Sequence, residues 1–194
     1  MAINIKEILA EGLLKLCETT PLNTITIQQL LNQTGVSRQT FYNHFADKND
    51  LIQYIYLSKI IPEYNYADNI EMDFYESLRD SFYRMKKYHY FMKQACLMED
   101  QNCLKDYMLE HCKQFDLQWH QKLYGDTPMP DTLRFATEYH ASASNSMTLS
   151  WILSDMPSSC EEMAQLITQL RGIGMDKLFE GSQIKKNPYQ KSNS

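Results

Sequence analysis

Apolar side chains return every three or four residues along most of this chain, the spacing of one face of an α-helix. Over residues 2–18, Ile5, Ile8, Leu9, Leu13, Leu16 and Cys17 make one stripe, closed by Thr20 and Pro21. A short helix follows from a Thr26 cap to about Asn32, and a second from a Ser37 cap to near His44. A fourth starts after Asp47 and stops at Pro62. Residues 63–70 read as a connector, followed by helices over about 71–87, 88–97 and 100–124. The break GDTPMPD comes next, then helices over about 131–154 and 159–179. No alternating run bounded by hairpin turns stands out, so the pattern predicts an all-α fold of about nine helices. The last stretch, GSQIKKNPYQKSNS, is polar and aperiodic, and residues 181–194 read as a disordered tail.

The punctuation between residues 26 and 50 carries the most information. Thr26 with Gln29 three residues on is the pattern of a capping box. Gly35, in the turn Gln33-Thr34-Gly35-Val36, offers the left-handed residue that ends the first short helix. Ser37 caps the next helix, and Asp47 caps the one after, with Asp50 in its first turn. Two short helices joined by a Gly-containing turn form a helix-turn-helix. Val36, Phe41 and Phe45 suit the inner side, facing Ile27, Leu30 and Leu31, which leaves Arg38, Gln39, Thr40, Tyr42, Asn43 and His44 outward. Arginine reads guanine and Gln or Asn reads adenine in the major groove, while hydroxyls, lysines and helix N-termini meet phosphates. A double-stranded DNA partner therefore explains a face this rich in hydrogen-bonding groups, with Lys48 placed for a phosphate.

Composition adds bounds. At 43% hydrophobic residues, the 194-residue chain can bury a core. No window nears the ~18 uninterrupted apolar residues of a membrane span, so a cytoplasmic protein without membrane contact is expected. Five cysteines, Cys17, Cys96, Cys103, Cys112 and Cys160, are odd in number and sparse, which argues against a disulfide framework. Residues 1–60 hold Lys6, Lys15, Arg38, Lys48 and Lys59 against Glu7, Glu11, Glu18, Asp47 and Asp50, a balance of zero. Such a head predicts a shallow salt dependence and a need for two heads.

The stretch ITIQQLLNQTGVSRQTFYNHFADKNDLI resembles the DNA-binding domain of the tetracycline-repressor (TetR) family of transcriptional regulators. The resemblance rests on Thr26, on Gly35-Val36-Ser37, and on Thr40-Phe41-Tyr42-Asn43-His44-Phe45 followed by Lys48 and Leu51. It implies DNA contacts from Thr26, Ser37, Arg38, Gln39, Thr40, Tyr42, Asn43, His44 and Lys48, with Thr40, Tyr42 and Lys48 on phosphates and Arg38 and Gln39 foremost at base edges. Many relatives carry Gly or Ala where Gln39 stands, so a larger side chain enters the groove here. The segment from Arg134 to Ile167 has a fainter likeness to dihydroxyacetone-kinase regulators within that family, through a Trp, a Met-Pro turn and an acidic helix start. The implied layout is a DNA-binding domain over residues 1–47 and a regulatory and dimerisation domain over 48–180, with 48–61 as linking helix.

The regulatory part is expected to form a homodimer through its last two helices. The first of these carries Ala136, Ala141, Ser142, Ala143, Ser144 and Ser146, and small residues allow close approach. A pocket for a small effector is expected from Tyr88, Phe91, Met92, Trp119, His140 and Trp151, although aromatic stripes also serve as plain core. A partner protein could stand in for the small molecule. Repression ranks ahead of activation. Cys96, Cys103, His111, Cys112 and His120 fall close together but lack CxxC or HxxxH spacing, so neither metal nor cofactor is expected. No GxSxG, P-loop, dinucleotide fingerprint or HExxH is present, so an enzyme is not expected. The competing reading is a helical interaction module whose helix-turn-helix serves packing alone.

Overall fold

The computed structural model describes residues 4–62, 73–173, 175–179 and 188–189. The described residues contain nine α-helices of five residues or more and no strand. They are α1 (Ile5–Cys17), α2 (Ile27–Thr34), α3 (Arg38–Tyr42), α4 (Lys48–Ile55), α5 (Phe74–Lys87), α6 (His89–Cys96), α7 (Leu104–Tyr124), α8 (Asp131–Leu153) and α9 (Cys160–Gly172). A final turn, α10, spans Met175–Leu178.

The short helices of the head exist because their ends are satisfied locally. The Gln29 N–H donates to Thr26 Oγ1 at 3.2 Å and the Thr26 N–H to Gln29 Oε1 at 2.8 Å, so the capping box closes from both sides. Gly35 ends α2 with φ at 71°, a conformation a side chain rarely adopts. Ser37 accepts from the Thr40 N–H, and Asp47 from the Asp50 N–H. α1 lies close across this unit. A Cβ on Gly12 would overlap Thr34 Cγ2, so only glycine fits that crossing without a shift.

Leu9, Leu13, Leu30, Phe41, Phe45 and Leu51 form the apolar centre of the head, continuous through Ile52, Ile55 and Met92 with the core beneath α5, α6 and α9. Hydrogen bonds also join the two parts. The Leu22 N–H donates to Gln94 Oε1 at 2.5 Å, and the Asn49 and Gln53 amides donate to the carbonyls of Gln101 and Asn102. A second cluster gathers Phe74, Trp119, Leu123, Met129, Leu133, Met175, Phe179 and Tyr189. Phe74 stacks on Trp119 at 5.6 Å between ring centroids. α7 lies along α8, and α5 along α9.

Three boundaries differ from the sequence expectation. α4 does not run on as an α-helix: Tyr56–Ile60 form a π-turn before the chain bends at Ile61. α7 begins at Leu104 rather than near 100, because Asn102 takes a left-handed conformation, φ 62°. The last helix is broken at Ile173, which is extended (φ −67°, ψ 120°), before α10. The expected connector at 63–70 lies outside the described residues, as does nearly all of the expected tail. Tyr189, however, is described and buried, so that position is not part of a disordered tail.

Candidate nucleic-acid interface and regulatory cavity

α3 is anchored by what it buries. Phe41 is fully buried and Phe45 nearly so, and their rings lie 5.9 Å apart. With those residues inward, Ser37, Arg38, Gln39, Tyr42, Asn43 and His44 are exposed, and Thr40 is half-buried. Thr26, at the start of α2, is exposed as well. The Arg38 guanidinium lies over the Tyr42 ring at 5.7 Å, which steadies a long side chain. The Ser37 and Thr40 hydroxyls are 2.7 Å apart, a pair of polar groups at the helix N-terminus. One face thus presents donors and acceptors suited to base edges, with free main-chain donors suited to phosphate.

Lys48 behaves differently from the expectation. Its ammonium donates to the carbonyls of Leu22, Asn23 and Ile25 at 2.9, 3.3 and 2.8 Å. All three of its N–H donors are spent on the chain that precedes α2, so Lys48 ties α4 to the head. Burial lowers its pKa, while Asp100 and the Cys17 thiol nearby act to raise it. Lys59 is also occupied, bridging Glu7 and Glu11 on α1. Among the described residues of α3, Arg38 is therefore the cation left on the exposed polar face.

The regulatory part contains a cavity of about 120 Å³. It opens between the π-turn after α4 (Tyr56), α5 (Phe74, Leu78, Phe82, Met85), α7 (Met108, His111, Phe115), α8 (Ser144, Asn145, Thr148) and α9 (Ile167, Arg171). At its floor Arg171 is almost fully buried and pairs with Asp116 at 2.5 Å. Arg171 also donates to Ser144 Oγ at 2.8 Å and toward the Cys112 sulfur at 3.6 Å. Burial works against the guanidinium charge, but Asp116 beside it outweighs that and holds Arg171 protonated. Burial pushes the Cys112 thiol up to about 12.

Next to this floor lies a second polar chain. Thr137 donates its hydroxyl to the Leu133 carbonyl at 2.7 Å, so its oxygen is the acceptor for His120 Nδ1–H at 2.7 Å. His120 Nε2 then accepts from the Tyr189 hydroxyl at 2.6 Å, and that hydroxyl in turn accepts from Arg171. Burial, reinforced by the Arg171 charge and His140, lowers His120 to about 3, so the ring is neutral.

None of the six expected pocket residues lines the cavity. Phe91, Met92, Trp119 and Trp151 are core. Trp119 and Trp151 sit one layer behind, against Phe74 and Phe82. Tyr88 caps α5 and His140 lies half-buried on α8. The residues missed were Tyr56, Phe74, Phe82, Thr148 and Arg171. The visible signal was Ser77 and Ser81, polar residues at the same helical spacing as Phe74, Leu78 and Phe82 on one face of α5.

A helix-turn-helix head with an exposed polar α3, joined to a larger helical domain, is the architecture of a transcriptional regulator. The family described as the C-terminal region of a transcriptional regulator, of TetR type, matches residues 72–171, just over half of the chain, and the chain belongs to that family. Its fold matches the solved structure of the dihydroxyacetone kinase operon activator DhaS with a TM-score of 0.64, at 18% identity over 88% of this chain and 95% of that one. A comparison with curated protein sequences finds no match. The family the chain matches is one of transcriptional regulators rather than of enzymes.

Proposed function

We propose that the protein acts as a homodimer that binds an operator through α3, with operator affinity set by a small molecule or a partner protein at the regulatory domain. The carrying observation is the face of Ser37, Arg38, Gln39, Tyr42, Asn43 and His44, exposed as a set above buried Phe41 and Phe45. Arg38 and Gln39 reach base edges. Thr26, Thr40, Tyr42 and the main-chain donors at the starts of α2 and α3 hold phosphates. Lys48 takes part as the tie that sets the tilt of the head, and its own N–H begins α4 where a phosphate is favoured. Residues 1–47 form the reading unit, and α4 carries it.

Dimerisation is supported by an apolar stripe left uncovered among the described residues. Phe135, Tyr139 and Met147 on α8, Leu166 and Leu170 on α9 and Ile173 just beyond it are 48–75% exposed. Phe135, Tyr139, Ala143 and Met147 follow at intervals of four, one face of a helix. Helix pairs of this kind from two protomers make a four-helix interface.

Repression is the simpler sign of regulation, because a dimer seated on an operator blocks access by itself. The similar structure is named an activator, so a reporter gene carrying the operator, with and without the regulator, decides. The reading itself is tested by light scattering of the purified chain and by its binding to duplex DNA from upstream of its own coding region across a salt series. A dimer with selective binding is expected. With Arg38 as about one cationic contact per head, two per dimer, log K should fall with log salt at a slope of roughly −2. A monomer, or binding equal for all sequences, contradicts the reading.

A further inference from the structure

The cavity of the regulatory domain restricts the chemistry of its occupant. Its walls are aromatic and aliphatic: Phe74, Phe82 and Phe115, with Leu78, Met85 and Ile167. Its volume of about 120 Å³ is slightly below the ~150 Å³ of an engineered protein cavity that accepts benzene. A single six-membered ring with a small substituent fills it.

Charge is already balanced there. Arg171 and Asp116 pair with each other, and the remaining Arg171 donors go to Ser144, Cys112 and Tyr189. A carboxylate on the ligand would find no uncommitted cation and would lie near Asp116. An ammonium would find Asp116 taken and Arg171 beside it. Either would lose its hydration without gaining a partner.

Three polar side chains, Asn145, Thr148 and His111, line the wall from α8 and α7. Asn145 and Thr148 lie about one turn apart on α8, and His111 lines the same cavity from α7, its ring 6.0 Å from that of Tyr56. Burial lowers the His111 pKa, so the imidazole offers one donor and one acceptor rather than a charge. A ligand with one hydroxyl or amide group can be oriented by this trio. A triol or small sugar would turn its other hydroxyls onto phenylalanine.

We infer that the effector of this regulator is a small uncharged molecule of about one ring, apolar except for a single hydrogen-bonding group held by Asn145, Thr148 and His111. The inference rests on the reading of the protein as an effector-controlled regulator and narrows the effector class.

The test uses the full-length protein and four probes: phenol, benzoate, benzylammonium and dihydroxyacetone, followed by calorimetry and thermal melting. Phenol should bind with a dissociation constant of roughly 1 mM, as befits seven heavy atoms. The other three should bind at least ~10-fold more weakly. Thr148→Val keeps the shape and removes the hydroxyl. It and Asn145→Leu should each weaken phenol by about fivefold. Benzene, which needs no hydrogen bond, should bind both variants within about twofold of wild type, reporting an intact cavity.

Preference for benzoate, benzylammonium or dihydroxyacetone over phenol overturns the inference. So does an absence of phenol binding, or phenol binding unchanged in both variants. Selective DNA binding is measured on the same preparations before any probe is added. Its presence without phenol binding overturns the effector class alone. Its absence alongside phenol binding overturns the regulator reading and leaves only a cavity selective for small uncharged rings.

Discussion

The head and the regulatory domain solve opposite problems with the same helical material. In the head, helices of five to eight residues are held by caps and by one apolar centre, and what remains exposed on α3 is polar. In the regulatory domain, α7 and α8 run to 21 and 23 residues, and much of what remains exposed on α8 and α9 is apolar. A polar exposed face suits a hydrated, charged partner such as DNA. An apolar exposed face suits a partner that removes water, and a second copy of the same chain is the simplest one. The interior contrast runs the other way. The head is filled by Leu, Ile and Phe, whereas the regulatory domain encloses Arg171, Asp116, His120 and Thr137 beside a cavity. A packed head reads a fixed sequence; a domain with a polar, unfilled interior can respond to an occupant.

That contrast can be broken at graded cost. The largest effect is expected from Arg38→Ala, which removes a base-reading group from each of two heads. Selective binding should weaken by about 2–6 kcal/mol in total, with melting temperature unchanged, as measured by fluorescence anisotropy against specific and scrambled duplexes. A loss of stability with no change in selectivity would assign Arg38 to packing. Next comes Lys48→Met, which removes an ammonium from three carbonyls. A loss of about 1.5–3 kcal/mol in urea unfolding is expected, accompanied by weaker DNA binding because the head is no longer fixed on α4. Unchanged stability would mean that the staple contributes nothing net.

The buried interior of the regulatory domain should show itself in pH. His120 titrates near 3 in the fold and near 6.5 unfolded, so the unfolded chain takes up the proton first as pH falls. Its stabilising contribution is complete above pH 6.5 and is lost progressively as pH drops towards 3. Between pH 7 and 5 this amounts to ~2 kcal/mol. His120→Gln should flatten that part of the stability profile in denaturant titrations at several pH values; an unchanged profile would locate the sensitivity elsewhere. The smallest effect belongs to a cap. Thr26→Ala should cost about 1 kcal/mol and leave the regulatory domain's pH response untouched.

Legibility followed the range of the interactions. The capping box of Thr26 and Gln29 and the left-handed Gly35 were readable because each is settled within four residues. The polar face of α3 was readable for the same reason: Phe41 and Phe45, four apart, fix which side is inward. The role of Lys48 was not, since its acceptors lie 23–26 residues earlier and only folding brings them to the ammonium. The cavity was missed more completely. It is assembled from five separated segments, and the large aromatics that sequence reading favours, Trp119 and Trp151, pack behind its wall. Tyr189 was hidden by a polar neighbourhood, although its ring fits against Phe74 and its hydroxyl completes the chain from Arg171 to His120.

The central claim is that α3 reads DNA as one of two symmetry-related heads. Footprinting of the purified protein on its own upstream region tests it most directly. Two protected half-sites of related, inverted sequence are expected, with centres about 34–36 Å or a multiple of it apart along the duplex. The protection should vanish with Arg38→Ala. Uniform protection of any duplex, or protection that survives Arg38→Ala unchanged, would contradict it and leave the helix-turn-helix as a packing element.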